Sequence, residues 1–209
     1  MTTKTVIAAH SRLDARRRAF LDAASIVFLE KGYANATLGD IIEKSGGSRQ
    51  TLYALFGGKQ GLFEAIIAER NAEIFRPLRA DDLHNRPPED VLVEIGTRFL
   101  HRVLTPEALG AFRLVLAEGP AMKELSERFW VVGPGRTVTA FAGYLEELAD
   151  RGALRLQDAS LAARQFQGML LGNFQIDCML GVRELPSPGE VETFVKSAVA
   201  RFLDGCRAR

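Results

Sequence analysis

Apolar positions recur at helical spacing through most of the chain. Phe20, Ala24, Val27 and Phe28 form one face of a segment from Asp14 to Lys31, and Gly32 is placed to stop it. Thr37-Leu38-Gly39-Asp40 has the form of a capping box, with the shorter Asp where Glu or Gln is usual. It opens a short helix with Ile41 and Ile42 on its inner face, and Ser45-Gly46-Gly47 ends it. Ser48 is then a cap for a second short helix carried by Leu52, Leu55 and Phe56, which Gly57-Gly58 breaks. A longer helix begins at Lys59, with Leu62, Phe63, Ile66 and Ile67 on its buried side. Beyond Pro77, helices are predicted over about 89–104, from Pro106 to about 117, from Gly119-Pro120 to Asp150 with a break at Gly133-Pro134-Gly135, and over about 158–181 and 188–206. Alternating runs rich in Val, Ile and Thr are missing, so no sheet is predicted. Residues 1–13 read as a loose arm. The expected fold is all-α with about nine helices.

Composition adds bounds. The 209 residues are 47% hydrophobic and 25% charged, ordinary for a globular protein long enough to bury a core without disulfides or metals. No apolar run approaches the roughly 20 residues needed to cross a bilayer, and the N-terminus lacks the order of a signal peptide. A cytoplasmic protein with no membrane partner is expected. Cys178 and Cys206 form no CxxC pair and read as free thiols. The net charge of +1 hides an asymmetry. Residues 1–60 hold nine basic and five acidic side chains, a net of +4, while the remainder holds 18 and 21, a net of −3. A basic first quarter is what a local polyanion-binding face requires.

Candidate chemistry concentrates in Thr37 to Lys59, TLGDIIEKSGGSRQTLYALFGGK. Two short helices joined by a tight glycine-containing turn are the helix-turn-helix layout, whose second helix enters the major groove. Gly46 and Gly47 supply the turn, and Ile41, Leu52 and Phe56 the inner contacts. Ser48, Arg49, Gln50, Thr51, Tyr53 and Ala54 are left for the outer face. Over residues 14–70 the chain resembles the N-terminal domain of the TetR family of bacterial repressors. The resemblance rests on Phe28, Gly32-Tyr33, Thr37, Asp40-Ile41, Gly46, Thr51-Leu52-Tyr53, Phe56, Lys59 and Leu62-Phe63. It departs from the family at Gly39 and at Gly57-Gly58. The resemblance implies phosphate contacts for Thr37, Tyr53 and Lys59, and base contacts for Ser48, Arg49, Gln50 and Thr51. Arg16, Arg17 and Arg18 read equally well as backbone contacts and as a solvated run.

The expected division is a DNA-binding domain over 1–58, including the arm, and a ligand-binding and dimerisation domain over 59–209. Tyr144 to Gly172 resembles the C-terminal domain of the AefR-like subgroup. That resemblance implies a homodimer through the helices near 158–181 and 188–206, and a small, hydrophobic effector. Gly168 and Gly172 suit either a close seam between subunits or packing within one. Phe99, His101, Phe112, Trp130, Phe141, Phe166, Phe174 and Cys178 are the pocket candidates, although aromatics at helical spacing are more often plain core and a histidine such as His101 more often satisfied or exposed. Three histidines at no metal-ligand spacing, and the lack of GxSxG, a P-loop or GxGxxG, argue against an enzyme, a metal site or a cofactor. The expected activity is sequence-specific binding of a palindromic operator, relieved by an effector. The rival expectation is an architectural or constitutive DNA binder.

Overall fold

The structure, a computed structural model, describes residues 3–72, 74–79 and 83–206, with only the backbone given for residues 3–11, Arg70, Arg79 and His84. The described residues form α1 (Thr3–Asn35), α2 (Leu38–Ser45), α3 (Arg49–Phe56), α4 (Lys59–Ala72), α5 (Pro88–Val103), α6 (Pro106–Glu118), α7 (Lys123–Val132), α8 (Pro134–Asp150), α9 (Ala159–Leu171), α10 (Phe174–Leu180) and α11 (Pro188–Cys206). Two 3-10 turns, Arg76–Arg79 and Leu83–Asn85, lie between α4 and α5. No strand occurs among these residues, as the patterning predicts. No described helix is long and apolar enough to cross a membrane.

Two expectations need correction. The segment read as a loose arm is helical from Thr3. Nothing breaks the helix before Gly32, and Ala8, Ala9, Leu13 and Arg16 to Arg18 are good helix formers, so α1 extends without an apolar stripe at its start. The single helix expected over 158–181 is two, because the chain breaks at Gly172 (φ 48°, ψ −131°) before α10. Phe194 of α11 packs where a side chain at Gly172 would stand, its ring 2.9 Å from an added Cβ, so this glycine serves packing within the chain. Gly168 has open space beside it.

The chain divides into two compact units. The first contains residues 1–69 and 110–129, and the second 70–109 and 130–209, so α4, α6 and α7 contribute residues to both. The first unit therefore runs past the expected boundary at residue 58. Phe63 of α4 explains this, since its ring meets Phe28, Tyr33 and Phe129 at centroid distances of 6.0, 5.4 and 6.4 Å. Phe20, Ile41, Leu52 and Leu62 are fully buried in that unit, one from each of its first four helices.

In the second unit α8 packs along α9, and α5 along α11. Its centre is a chain of rings. Phe141 meets Phe75 at 5.5 Å, Phe99 at 6.2 Å and Phe166 at 5.2 Å, all edge to face, and Phe166 meets Phe202 at 4.8 Å. Ile95, Leu100, Leu145, Leu170 and Val199 close around them with no exposed surface. Truncating the central ring leaves a cavity that such a packed shell fills poorly. Phe141→Ala is expected to cost about 3–5 kcal/mol in urea unfolding; a cost below about 1 kcal/mol would mean that the shell collapses around the gap.

Candidate nucleic-acid interface

The candidate interface is built by caps. Thr37 stands extended at the start of α2 and accepts from the Asp40 amide at 3.2 Å, while Asp40 Oδ2 accepts from the Thr37 amide at 3.0 Å and from its hydroxyl at 2.9 Å. The shorter Asp thus completes the capping box. Gly46 ends α2 in the left-handed region (φ 65°), where a residue with a Cβ is strained, and its amide donates to the Ile42 carbonyl at 2.9 Å. Gly47 lies against Phe20, whose ring would be 2.2 Å from an added Cβ. Ser48 caps α3, accepting from the Thr51 amide at 3.1 Å, and the two hydroxyls share a hydrogen bond of 2.8 Å.

This arrangement separates the faces of α3. Leu52 is fully buried, and Leu55 and Phe56 are half-buried. Ser48, Arg49, Gln50, Tyr53 and Ala54 are exposed, and Thr51 is half-buried. Arg49 and Gln50 are thereby offered side by side on the first turn. Tyr53 is 49% exposed. At α2 the Thr37 hydroxyl is engaged in the capping box, so the helix start presents the amides of Leu38 and Gly39, which have no intrahelical acceptor.

Lys59 departs from its expected role. Its ammonium donates to the carbonyls of Tyr33, Ala34 and Ala36 at 2.8, 3.2 and 3.0 Å, and lies 4.7 Å from the centre of the Tyr33 ring. An ammonium has three donors. With all three engaged, Lys59 holds the backbone between α1 and α2 instead of standing free for phosphate. The arginine run also resolves. Arg16 donates to the carbonyls of Ser45 and Gly46 at 3.4 and 3.1 Å, capping the end of α2. Arg17 pairs with Glu69 at 3.1 Å and lies 5.7 Å from the centre of the Phe56 ring. Arg18 is exposed. Pattern reading did not find Arg16 as a cap, since its partners are 29 and 30 residues away.

Of the eight pocket candidates, Phe99, Phe141 and Phe166 come together and the others have separate partners. Phe99, Phe141 and Phe166 belong to the packed aromatic chain. Phe174 packs on Phe194 at 4.8 Å, and Cys178 is buried with its thiol on the Glu184 carbonyl at 3.5 Å. Phe112 meets Phe129 at 5.5 Å in the first unit. His101 is exposed at the end of α5, and Trp130 is 47% exposed beneath the Arg164 guanidinium. Cavities among the described residues include two elsewhere. One of about 490 Å³ is lined by residues including Leu154, Leu156 and Cys206, and one of about 210 Å³ by residues including Tyr33, Phe63 and Arg128. Neither is lined by any of the eight. Among the described residues no three His, Cys, Asp or Glu side chains are grouped to hold a metal ion.

The chain is similar to known regulators over nearly its whole length. The family profile for the AefR-like transcriptional repressor C-terminal domain matches residues 90–206, and that for the tetR family of bacterial regulatory proteins matches 20–66. The HTH-type transcriptional regulator YvkB of Bacillus subtilis is 26% identical over 190 residues, covering 90% of this chain and 95% of its own. BetI, an HTH-type transcriptional regulator of Agrobacterium fabrum, is 26% identical over 200 residues, covering 93% of each. Among solved structures, a TetR-family transcriptional regulator from Mesorhizobium loti matches with a TM-score of 0.77 at 26% identity, over 94% of this chain and 98% of its own. The flavonoid-responsive regulator FrrA matches with a TM-score of 0.73 at 26% identity, over 93% and 98%.

The capping box makes a pH prediction. The Lys31 ammonium at 2.7 Å, then the Thr37 amide and hydroxyl, hold the Asp40 carboxyl down from 3.8 to about 2, with burial opposing slightly. A depressed carboxyl contributes stability that is present above its unfolded pKa and is lost as pH falls through the folded one. The contribution should therefore persist down to about pH 4 and disappear toward about pH 2. A carboxyl titration by NMR should place the Asp40 midpoint near 2; a midpoint near 4 would mean that neither the Lys31 pair nor the box is formed in solution.

Proposed function

Because the chain belongs to the TetR family of bacterial transcriptional regulators, it is a DNA-binding regulator of repressor type, and we propose that it reads its operator with the first turn of α3. The observation that carries this reading is the exposure of Ser48, Arg49 and Gln50 together on one capped turn whose opposite side is anchored by Leu52. Arg suits the O6 and N7 acceptors of guanine, and Gln the N6 and N7 pattern of adenine. Tyr53 and the amides at the start of α2 take phosphates. Lys59 contributes by holding the corner that precedes α2.

The reading extends to a homodimer that spaces two such turns about one DNA turn, roughly 34–36 Å, apart on a palindrome. The apolar surface of α9, α10 and the following loop supports the choice of seam: Leu161, Ile176, Leu180 and Val182 are all more than half exposed, and Gly168 has open space beside it. Release by a small hydrophobic effector is the proposed control, and the flavonoid response of FrrA makes aromatic effectors the first class to try. The aromatic chain around Phe141 is the proposed place for it, opened on binding. The effector acts by favouring one of two conformations with different operator affinity.

Selection of bound DNA from a random pool, followed by footprinting, tests the reading. A palindromic site is expected, and failure to retain any DNA at low salt would sink it. On the selected site Arg49→Ala and Gln50→Ala should each lose about 1–3 kcal/mol of discrimination at one base position. Equal losses on every sequence would assign these residues to the backbone instead. In sedimentation, Leu161→Glu should shift the protein toward monomer and weaken operator binding with it. A fully dimeric Leu161→Glu protein would move the seam away from α9.

A further inference from the structure

The backbone corner at residues 32–36 is gripped from two sides. At Gly32 the chain leaves the helix with φ 76° and ψ 164°, a conformation that side chains disfavour. The turn brings two successive amides onto one carboxylate. Tyr33 donates to Glu118 Oε1 at 2.9 Å and Ala34 to Oε2 at 2.7 Å. Successive backbone amides in such a turn form a concavity suited to an anion. Gly32 also provides the space, since an added Cβ would stand 2.5 Å from Glu118 Oε1. The carbonyls of the same corner are taken by Lys59. An anion therefore holds the N–H side of these peptides and a cation the C=O side.

The two charges come from different helices. Lys59 opens α4, and Glu118 is the last residue of α6, 85 positions beyond Tyr33. What they hold is the stretch of chain immediately before Thr37, the residue that caps α2. Its other fixings are the buried Ala36, the Tyr33 ring against Phe28 at 5.3 Å, and the pair from Lys31 to Asp40 at 2.7 Å. Glu118 is half-buried.

We propose that Glu118 is a positioning residue for DNA recognition: its carboxylate fixes the exit of the chain from α1, and with it the angle at which α2 and α3 meet the groove. This rests on the DNA-binding reading above. Electrostatics makes the claim testable by sign. Glu118 is an acid on a protein that binds a polyanion, so charge alone says that its removal strengthens DNA binding. Positioning says the reverse. No phosphate contact is lost with Glu118, so the salt dependence of binding should not change.

The test compares full-length wild type, Glu118→Ala and Glu118→Gln on the DNA that wild type selects, at a temperature where all three are folded. Glu118→Ala should bind roughly tenfold more weakly, a usual size for coupling between distant sites, with an unchanged slope against salt. Glu118→Gln should fall between, since its amide keeps one acceptor for the two donors. Amide exchange without DNA is the second readout. Tyr33 and Ala34 should lose protection in Glu118→Ala, the loss should spread into α2, and α5, α8 and α11 should keep theirs. Equal or tighter DNA binding by Glu118→Ala overturns the proposal, as does a loss of protection confined to the two amides. If wild type retains no DNA, the DNA reading fails separately, and exchange in α2 still decides whether Glu118 orders the head.

Discussion

Helices of eight residues do not persist alone in water, and α2 and α3 are both of that length. Everything about the reading head follows from this constraint. Each helix needs its ends satisfied, and Thr37 with Asp40, Ser48 with Thr51, Gly46 and Arg16 do so. Each also needs an apolar anchor, supplied by Ile41 and Leu52, both fully buried. Phe20 beneath Gly47 then sets how closely the turn approaches α1. The consequence is a division of labour within a few residues. Side chains that face inward or cap an end are committed to structure, and Arg49, Gln50 and Ala54 remain exposed.

The features legible in the sequence are those whose causes are local. The capping box, the Ser48 cap and the glycine stops depend on residues three or four apart, and each stands where the pattern puts it. Tertiary partners were invisible. Lys59 reads as a phosphate ligand until the carbonyls of Tyr33, Ala34 and Ala36 are brought beside it from more than 20 residues away. Glu118 carried no signal at all. The segment after 158 showed two glycines in an apolar helical pattern, and nothing nearby distinguished Gly168, beside open space, from Gly172, pressed by Phe194. The aromatic candidates converge only in part, with Phe99, Phe141 and Phe166 in one ring chain, for a related reason. Helical periodicity tells which residues turn inward but not whether they meet each other or a ligand.

The second unit has a different economy. Its core is a run of rings from Phe75 to Phe202, edge to face from Phe75 through Phe141 to Phe166 and tilted between Phe166 and Phe202. Edge-to-face pairs keep preferred centroid separations, so a guest among them must shift several rings together. Such a core is suited to two discrete packings more than to gradual deformation. The first unit adds to its apolar anchors several point contacts between charges and backbone, where a displacement of about an ångström breaks a hydrogen bond.

Trp130 is the single tryptophan of the chain. It is 47% exposed on the last turn of α7, with the Arg164 guanidinium 5.9 Å from its ring centre. Intrinsic emission excited at the red edge therefore has one source, and that source belongs to the second unit. The protein carries a built-in optical reporter whose quenching or spectral shift follows the surroundings of that one ring.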